Sequence, residues 1–210
     1  VRSRRQRQMC IRDSMHSDNW AQKAKDMGYR SRAVFKLEEI LKKTRIKNYS
    51  SVLDLGSSPG GWSEYIVKKY PSSKVYAIDI IDMEPINGVT FIKDSIENIY
   101  NLEEIHKLKG SFKLVISDIA PNLSGIGAVD SENILDLNML TVKTAYDFLD
   151  SDGSLIMKTF QNSNLKTLRK DMELSFKLVQ TYKPAASKKQ SGEIYSVSYT
   201  HLTLPTTPYV

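Results

Sequence analysis

Cysteine is almost absent from this chain of 210 residues, which contains a single one, Cys10. One thiol cannot form an intramolecular disulfide, and it cannot supply a cysteine-based zinc site. The sequence also lacks an apolar run long enough to predict a membrane-spanning helix. We therefore expect an intracellular protein, in the cytoplasm or in an organelle such as the mitochondrion, that uses no metal and no membrane.

Acidic residues are outnumbered, but the excess of positive charge is unevenly spread. The formal net charge is +6 at pH 7, and residues 1–14 carry +4 of it, with five arginines against Asp13. Neither this segment nor the tail at 198–210 shows a helical or strand period. We interpret both as non-native or disordered extensions of one domain at residues 15–197. An organellar transit peptide is the less favoured alternative for the first segment, because that segment is short and not amphipathic.

Short apolar runs alternate with helical segments through the rest of the chain. Two helical pieces are predicted between residues 17 and 43, the first ending at Gly28 and the second capped by Ser31. The predicted strands are 52–55, 75–80, 89–92, 114–117, 155–157, 177–182 and 193–199. The predicted helices among them are 62–69, 96–108, 131–149 and 165–173. This alternation predicts an α/β fold with a seven-stranded, mostly parallel sheet, one antiparallel strand in a final hairpin, and helices on both faces.

A glycine-rich turn follows the first predicted strand, with the sequence Asp54-Leu55-Gly56-Ser57-Ser58-Pro59-Gly60-Gly61-Trp62. Such a turn brings free backbone amides close to a ligand at the start of a helix. A phosphate-binding Walker loop is excluded because Trp62 and Ser63 follow Gly61, and the dinucleotide fingerprint Gly-x-Gly-x-x-Gly is absent. Asp79 ends the next strand, where a carboxylate can accept hydrogen bonds from a ribose diol. The alternative is that Asp79 and Asp94 are only solvated strand ends.

Four charged residues, far apart in the chain, lie in distinctive contexts. Their contexts are Arg30-Ser31-Arg32-Ala33-Val34-Phe35-Lys36-Leu37, Ser117-Asp118-Ile119-Ala120-Pro121, Met157-Lys158-Thr159-Phe160 and Ser191-Gly192-Glu193-Ile194-Tyr195. Singly, each charged residue is better explained by a solvated surface or a turn. Jointly, and with the glycine turn, they resemble the FtsJ (RrmJ) family of S-adenosylmethionine-dependent RNA ribose 2′-O-methyltransferases, over Trp20 to about Val197.

The resemblance implies a Rossmann-like methyltransferase fold with S-adenosylmethionine as cofactor. Asp94 is implied to contact the adenine amino group, as its family counterpart does. The implied cofactor-binding residues are Gly56, Ser58, Pro59, Gly60, Gly61, Trp62, Asp79, Asp94 and Asp118. The implied catalytic residues are Lys36, Asp118, Lys158 and Glu193.

A ribose hydroxyl is a poor nucleophile at neutral pH, so an enzyme must align it and assist removal of its proton. Lys158 is the candidate for this task, as base or as orienter of the 2′-hydroxyl. Asp118 would hold Lys158, Lys36 would add the positive charge that favours a neutral lysine nearby, and Glu193 would position Lys36 or the ribose. The residues after Asp118 speak against amino-methylation of bases, whose enzymes typically place Asp/Asn-Pro-Pro and an aromatic residue there.

Basic residues outnumber acidic ones between residues 20 and 47, which fits contacts to RNA phosphates. They are Lys23, Lys25, Arg30, Arg32, Lys36, Lys42, Lys43, Arg45 and Lys47, and Lys183, Lys188 and Lys189 could extend the patch. For Lys42 and Lys43 the alternative is an ordinary solvated helix face. Gly192 stands where many relatives are expected to have arginine, which leaves one RNA contact in doubt.

The substrate implied by the resemblance is ribosomal RNA, within the large ribosomal subunit and at a uridine ribose, and we expect the enzyme to be a monomer. Two alternatives stay open. The same chemistry could act on a tRNA anticodon loop or an mRNA cap. A non-catalytic ribosome-assembly factor could also bind cofactor and RNA, although the complete set of four charged residues argues against it.

Overall fold

Seven strands form one central sheet in the computed structural model, which describes residues 19–122, 124–188 and 190–200. In chain order they are β1 (Ser51–Leu55), β2 (Lys74–Asp79), β3 (Val89–Lys93), β4 (Phe112–Ser117), β5 (Leu149–Phe160), β6 (Leu178–Tyr182) and β7 (Glu193–Tyr199). Their order across the sheet is β3-β2-β1-β4-β5-β7-β6. β7 runs antiparallel to both of its neighbours, whereas the pairs from β3 to β5 are parallel. The predicted sheet is therefore confirmed.

Helices cover both faces of this sheet. They are α1, described over residues 19–26, α2 (Val34–Lys43), α3 (Gly61–Lys69), α4 (Glu103–His106), α5 (Gly127–Phe148) and α6 (Leu165–Ser175), with a 3-10 helix at Ile96–Asn101. Successive strand residues point to opposite faces, so neighbouring apolar residues enter different cores. Val52 packs in the cluster that contains α2 and α3, and Leu53 packs in the cluster that contains Phe148 and Leu168.

Two predicted elements differ from the observed ones. The helix expected at 96–108 is a 3-10 helix followed by the short α4, because the backbone of Leu102 is extended (φ −82°, ψ 101°) and separates them. Strand β5 begins at Leu149 rather than at residue 155. Its first residues include the polar run 150–154, which carries no apolar signal, and the register with β4 shifts between Phe112 and Leu114.

The predicted domain limits fall partly outside the described residues. The extension at 1–14 and residues 201–210 of the tail are among those not described. Residues 198 and 199, however, belong to β7 and pair with both β5 and β6. The sheet thus continues two residues past the predicted boundary after Val197. Within the described part of the chain, no helix has the length and apolar character needed to cross a membrane.

Candidate active site

The glycine turn between β1 and α3 requires glycine at two positions. Gly56 and Gly60 have φ angles of +73° and +97°, in the left-handed region that other residues rarely adopt. A Cβ on Gly56 would lie 2.6 Å from the Cβ of Ile119, and a Cβ on Gly60 would lie 2.7 Å from both Ile86 and Met83. The turn is therefore held between the loop after β4 and the loop after β2.

Asp79, at the end of β2, ties this turn to the next loop. Its Oδ2 accepts a hydrogen bond from the amide of Ser58 at 2.8 Å, and its Oδ1 accepts one from the amide of Ile81 at 2.8 Å. Each carboxylate oxygen has a second lone pair that remains able to accept a bond. Asp79 can therefore organise the backbone and still receive donors from a ligand.

A cleft of about 640 Å³ opens at the carboxyl ends of β1, β2, β4 and β5. This volume lies in the range of small-molecule sites. Of the predicted cofactor residues, the ones that line the cleft are Gly56, Ser58, Asp79, Asp94 and Asp118. The catalytic candidate Lys158 lines it as well. Its apolar wall includes Ile80 and Ile81, which are 67% and 63% exposed.

Four predicted cofactor residues are not among those that line the cleft: Pro59, Gly60, Gly61 and Trp62. Trp62 is only 3% exposed, and its indole Nε1 donates to the carbonyl of Ala33 at 2.8 Å. Gly61 faces Ser31, whose Cβ would lie 2.9 Å from an added Cβ. Gly61 and Trp62 therefore join the turn to the segment before α2.

Asp94 follows β3 directly and lines the cleft. Its Oδ1 accepts from the amide of Ser95 at 2.7 Å and from Nδ2 of Asn98 at 2.8 Å. The carboxylate is thus fixed locally at the cleft wall, as a strand-end acceptor for an amino group would need to be.

Lys158 and Asp118 form one of two ion pairs at this edge of the sheet. Their neighbours Met157 and Ser117 are paired across β5 and β4, so the two charged residues emerge side by side. Nζ of Lys158 lies 3.2 Å from Oδ1 of Asp118 and also donates to the Asp118 carbonyl. Lys158 is therefore held by two oxygens of the residue that the sequence analysis assigned to it.

Lys36 and Glu193 form the second ion pair, with 2.7 Å between Nζ and Oε1. Lys36 is 8% exposed on α2, and Glu193 begins β7. The hydroxyl of Ser187 donates to the same Oε1 at 2.8 Å. Burial raises the pKa of Glu193, but the hydrogen bond and charge of Lys36 outweigh it, so the pKa is lowered from its usual value. The carboxyl is thus held as a carboxylate.

Tyr195 connects the two pairs, and the sequence analysis missed it. Its hydroxyl donates to Oδ1 of Asp118 at 2.7 Å, and Nζ of Lys36 lies 5.7 Å from its ring centroid. Burial, together with the carboxylates of Asp118 and Glu193, raises the pKa of Tyr195 far above its usual value, so it remains a hydrogen-bond donor. The Glu-x-Tyr spacing in β7 is the signal that could have found it, because alternate strand residues share a face.

Asp54 is a buried carboxyl beneath the glycine turn, 1% exposed. Its pKa is raised to about 7, mainly by burial and in addition by the nearby charges of Asp118 and Asp79, although Ser63 opposes the shift by donating to Oδ2 at 2.6 Å. The sequence analysis gave Asp54 no role.

Several residues of the predicted basic patch form hydrogen bonds or ion pairs within the protein. Arg30 donates to the carbonyls of Glu84 and Pro85. Lys42 and Lys43 pair with the glutamates one turn earlier on α2, as an ordinary helix face would. Lys189 lies outside the described residues. Among the residues described, no cluster of histidine, cysteine or acidic side chains could hold a metal ion.

The chain is similar to known methyltransferases over most of its length. Residues 29–200 match the family model of the FtsJ-like methyltransferases. A relative from Wigglesworthia glossinidia brevipalpis, named ribosomal RNA large subunit methyltransferase E, is 40% identical over 185 residues, covering 87% of this chain and 91% of the relative. A protein of the same name from Methanocella arvoryzae is 38% identical over 187 residues, covering 89% and 73% respectively.

Solved structures agree with this assignment. A Plasmodium falciparum protein, described as a ribosomal RNA methyltransferase, has a TM-score of 0.69 and 30% identity, covering 81% of this chain and 97% of that one. A Burkholderia thailandensis 1,6-didemethyltoxoflavin-N1-methyltransferase has a TM-score of 0.57 at 12% identity, covering 95% and 91%, and shares the fold. With the Rossmann-like methyltransferase fold, the family match and these identities together, the chain belongs to the FtsJ-like methyltransferase family.

Proposed function

We propose that this protein transfers a methyl group from S-adenosylmethionine to a ribose 2′-hydroxyl of ribosomal RNA in the large subunit. The observation that carries the proposal is the cleft itself. The carboxylates of Asp79 and Asp94 line the same ligand-sized cleft as the ion pair of Lys158 and Asp118. Binding groups for a nucleoside and a candidate proton acceptor therefore share one site.

The residues of the cleft fit the cofactor. Asp79 suits a ribose diol, because both of its oxygens are fixed by backbone amides and retain free lone pairs. Ile80 and Ile81 are large apolar side chains left exposed at the cleft wall, where they would pack against a planar base. Asp94 suits an amino group at the edge of that base. When bound, S-adenosylmethionine supplies an activated sulfonium methyl group.

Lys158 has a geometry suited to the 2′-hydroxyl. An ammonium has three N–H donors, and two oxygens of Asp118 engage two of them. The remaining position on Nζ can orient the substrate hydroxyl, and in the neutral amine it can accept the hydroxyl proton. The Tyr195 hydroxyl donates to the same Oδ1 of Asp118 that Lys158 contacts, which holds the carboxylate in place.

Lys36 and Glu193 would hold the substrate rather than exchange its proton. Their pair is short and mostly buried, and Ser187 fixes the same carboxylate oxygen. A cation held rigidly in this way attracts the RNA backbone. Lys158 and Asp118 would thus handle the proton, and Lys36 and Glu193 would hold the ribose and phosphate.

Ribosomal RNA is favoured as substrate because the relatives above carry that substrate in their names. The basic residues around α2 supply affinity for phosphates without base readout, so RNA shape must carry much of the specificity. A large ribosomal subunit presents a fixed loop better than free RNA does. The same chemistry on a tRNA anticodon loop or an mRNA cap is the alternative that the assay below separates.

The test compares methyl incorporation from labelled S-adenosylmethionine into large ribosomal subunits, naked ribosomal RNA, tRNA and capped mRNA at matched salt. We expect efficient labelling of subunits, weak labelling of naked ribosomal RNA, and none when the target ribose is 2′-deoxy. Preference for tRNA or capped message would reject the ribosomal substrate. Labelling of the deoxy substrate would reject the ribose chemistry.

A further inference from the structure

Arg30 lies in the turn between α1 and α2, within the basic stretch expected to contact RNA. Its guanidinium is already engaged by the protein. Nη1 donates to the carbonyl of Glu84 at 2.5 Å, and Nη2 donates to the carbonyl of Pro85 at 2.7 Å. The backbone amide of Arg30 donates to Glu64 Oε2 at 3.1 Å, and Nε lies 3.9 Å from Oε1 of that residue. The planar fork therefore grips two consecutive carbonyls of one loop.

That loop, residues 80–88, is also the wall of the cleft. It begins with the exposed Ile80 and Ile81, which line the cleft. Further along, Met83 and Ile86 press against Gly60, where an added Cβ would lie 2.7 Å from each of them. Arg30 thus binds the later part of this loop, at Glu84 and Pro85, whereas the first two residues of the loop form the apolar wall of the cleft.

The segment that carries Arg30 is itself bound to α3 and leads into the helix of Lys36. Nζ of Lys68 donates to the carbonyl of Gly28 at 3.0 Å, and the indole of Trp62 donates to that of Ala33 at 2.8 Å. Three positions after Ala33 comes Lys36, with its ion pair to Glu193. Any shift of this segment relative to the loop 80–88 would therefore move the two sides of the site apart.

We infer that Arg30 is a positioning residue that couples the cofactor-side wall of the cleft to the helix carrying Lys36, and that it is not a phosphate contact. The inference rests on the proposed function, since it takes the cleft as the S-adenosylmethionine site. The role requires the planar guanidinium and not only its positive charge, because a lysine has the same charge but cannot span two neighbouring carbonyls with a rigid fork. Arginine and lysine should thus differ at this position.

The first experiment measures S-adenosylmethionine affinity by calorimetry, without RNA, for the wild-type protein, Arg30→Ala, Arg30→Lys and Lys25→Ala. Lys25 is an exposed basic residue on the same stretch, so its variant removes equal charge without touching the loop. We expect the dissociation constant to rise roughly tenfold for both Arg30 variants, the effect of losing one or two charge-assisted hydrogen bonds. It should be unchanged for Lys25→Ala.

The second experiment measures RNA affinity at several salt concentrations. Loss of a phosphate contact lowers the slope of log affinity against log salt by about 1. We expect Arg30→Ala to keep the wild-type slope. If Arg30→Ala does not fold, as judged by its melting curve, Arg30→Lys decides the cofactor measurement.

Three results would overturn the inference: unchanged cofactor affinity in the Arg30 variants, full rescue by Arg30→Lys, or a slope lowered by one unit in Arg30→Ala. Failure of the proposed function would show differently, as a wild-type protein that does not bind S-adenosylmethionine.

Discussion

The two sides of the cleft are built in different ways. On the cofactor side, one carboxylate, that of Asp79, organises backbone amides that lie within 21 positions of it in the chain. On the catalytic side, side chains from four separate parts of the chain form two ion pairs, and the pair of Lys36 and Glu193 joins the two ends of the described chain. A substitution on the cofactor side should therefore change the backbone position and the affinity for the ligand. A substitution on the catalytic side should change the rate of methyl transfer.

The largest effect is expected when Lys158 is replaced. Lys158→Ala removes the group placed to orient and deprotonate the hydroxyl, so we expect methyl transfer to fall by about 10²- to 10⁴-fold. Affinity for S-adenosylmethionine should change little, because Asp79 and Asp94 are left in place. Single-turnover labelling and calorimetry measure the two quantities. Lys166→Ala, on the exposed face of α6, is the matched control, and turnover of Lys158→Ala near the wild-type rate would remove Lys158 from the mechanism.

Replacing Asp79 should have the opposite signature. Asp79→Ala leaves the amides of Ser58 and Ile81 without their acceptor, in addition to removing the ligand contact. We expect cofactor affinity to fall by roughly ten- to a hundredfold, at about 1–3 kcal/mol. The rate at saturating cofactor should be largely kept. Glu104→Ala, an exposed acid on α4, controls for loss of charge. A titration that shows no loss for Asp79→Ala would contradict the ribose-diol assignment.

The same difference explains what the sequence could predict. The glycine turn and Asp79 form a local pattern, so spacing alone indicated a ligand site there. The four catalytic candidates gave no local pattern as a group, and only the family resemblance joined them. The structure brings them together in two pairs. Tyr195 was missed because a tyrosine in an apolar strand is ordinary in sequence, and only the three-dimensional structure shows its bond to Asp118.

Other differences have physical reasons of the same kind. The role of Trp62 as a cofactor contact stays a prediction, since packing turns its ring toward Ala33 and Tyr195. Charge counting grouped Arg30 with the predicted RNA contacts, which stay a prediction. Its hydrogen bonds to Glu84 and Pro85 could not be foreseen, because those carbonyls belong to a loop that is distant in the sequence. The early start of β5 was hidden by polar residues. Tertiary contacts, rather than local preference, decide each of these cases.

Asp54, buried near the end of β1 and just before the glycine turn, leads to a prediction about pH. Its pKa is raised by burial from 3.8 to about 7, so between these values the folded protein keeps a proton that the unfolded chain has released. Its contribution to stability is full below about pH 4 and is lost as the pH rises toward 7. We expect the free energy of unfolding to fall between pH 5 and 8 by on the order of 2 kcal/mol more in wild type than in Asp54→Asn.

Urea denaturation across that pH range measures the effect. Asn keeps an acceptor for the Ser63 hydroxyl, so the variant removes the titration with little loss of packing. Glu193 does not interfere with this measurement. Because its pKa is lowered, its contribution to stability is present above pH 4.5, the usual value, and is lost only as the pH falls below it. Equal slopes for wild type and Asp54→Asn would show that Asp54 does not titrate in the folded state in this range.

The smallest effect is expected at the chain ends. Removing residues 1–14 and 201–210 should leave methylation intact and change the melting temperature by less than about 2 °C, because neither end has a period that could pack on the core. Truncation after Val197 is the informative contrast. It removes Ser198 and Tyr199 from β7, with their pairing to β5 and β6, and the bond from the amide of Arg45 to the Tyr199 hydroxyl at 3.2 Å. That truncation should lower the melting temperature by several degrees at least, whereas a comparable loss on removing only the outer residues would show that one of those ends is structural.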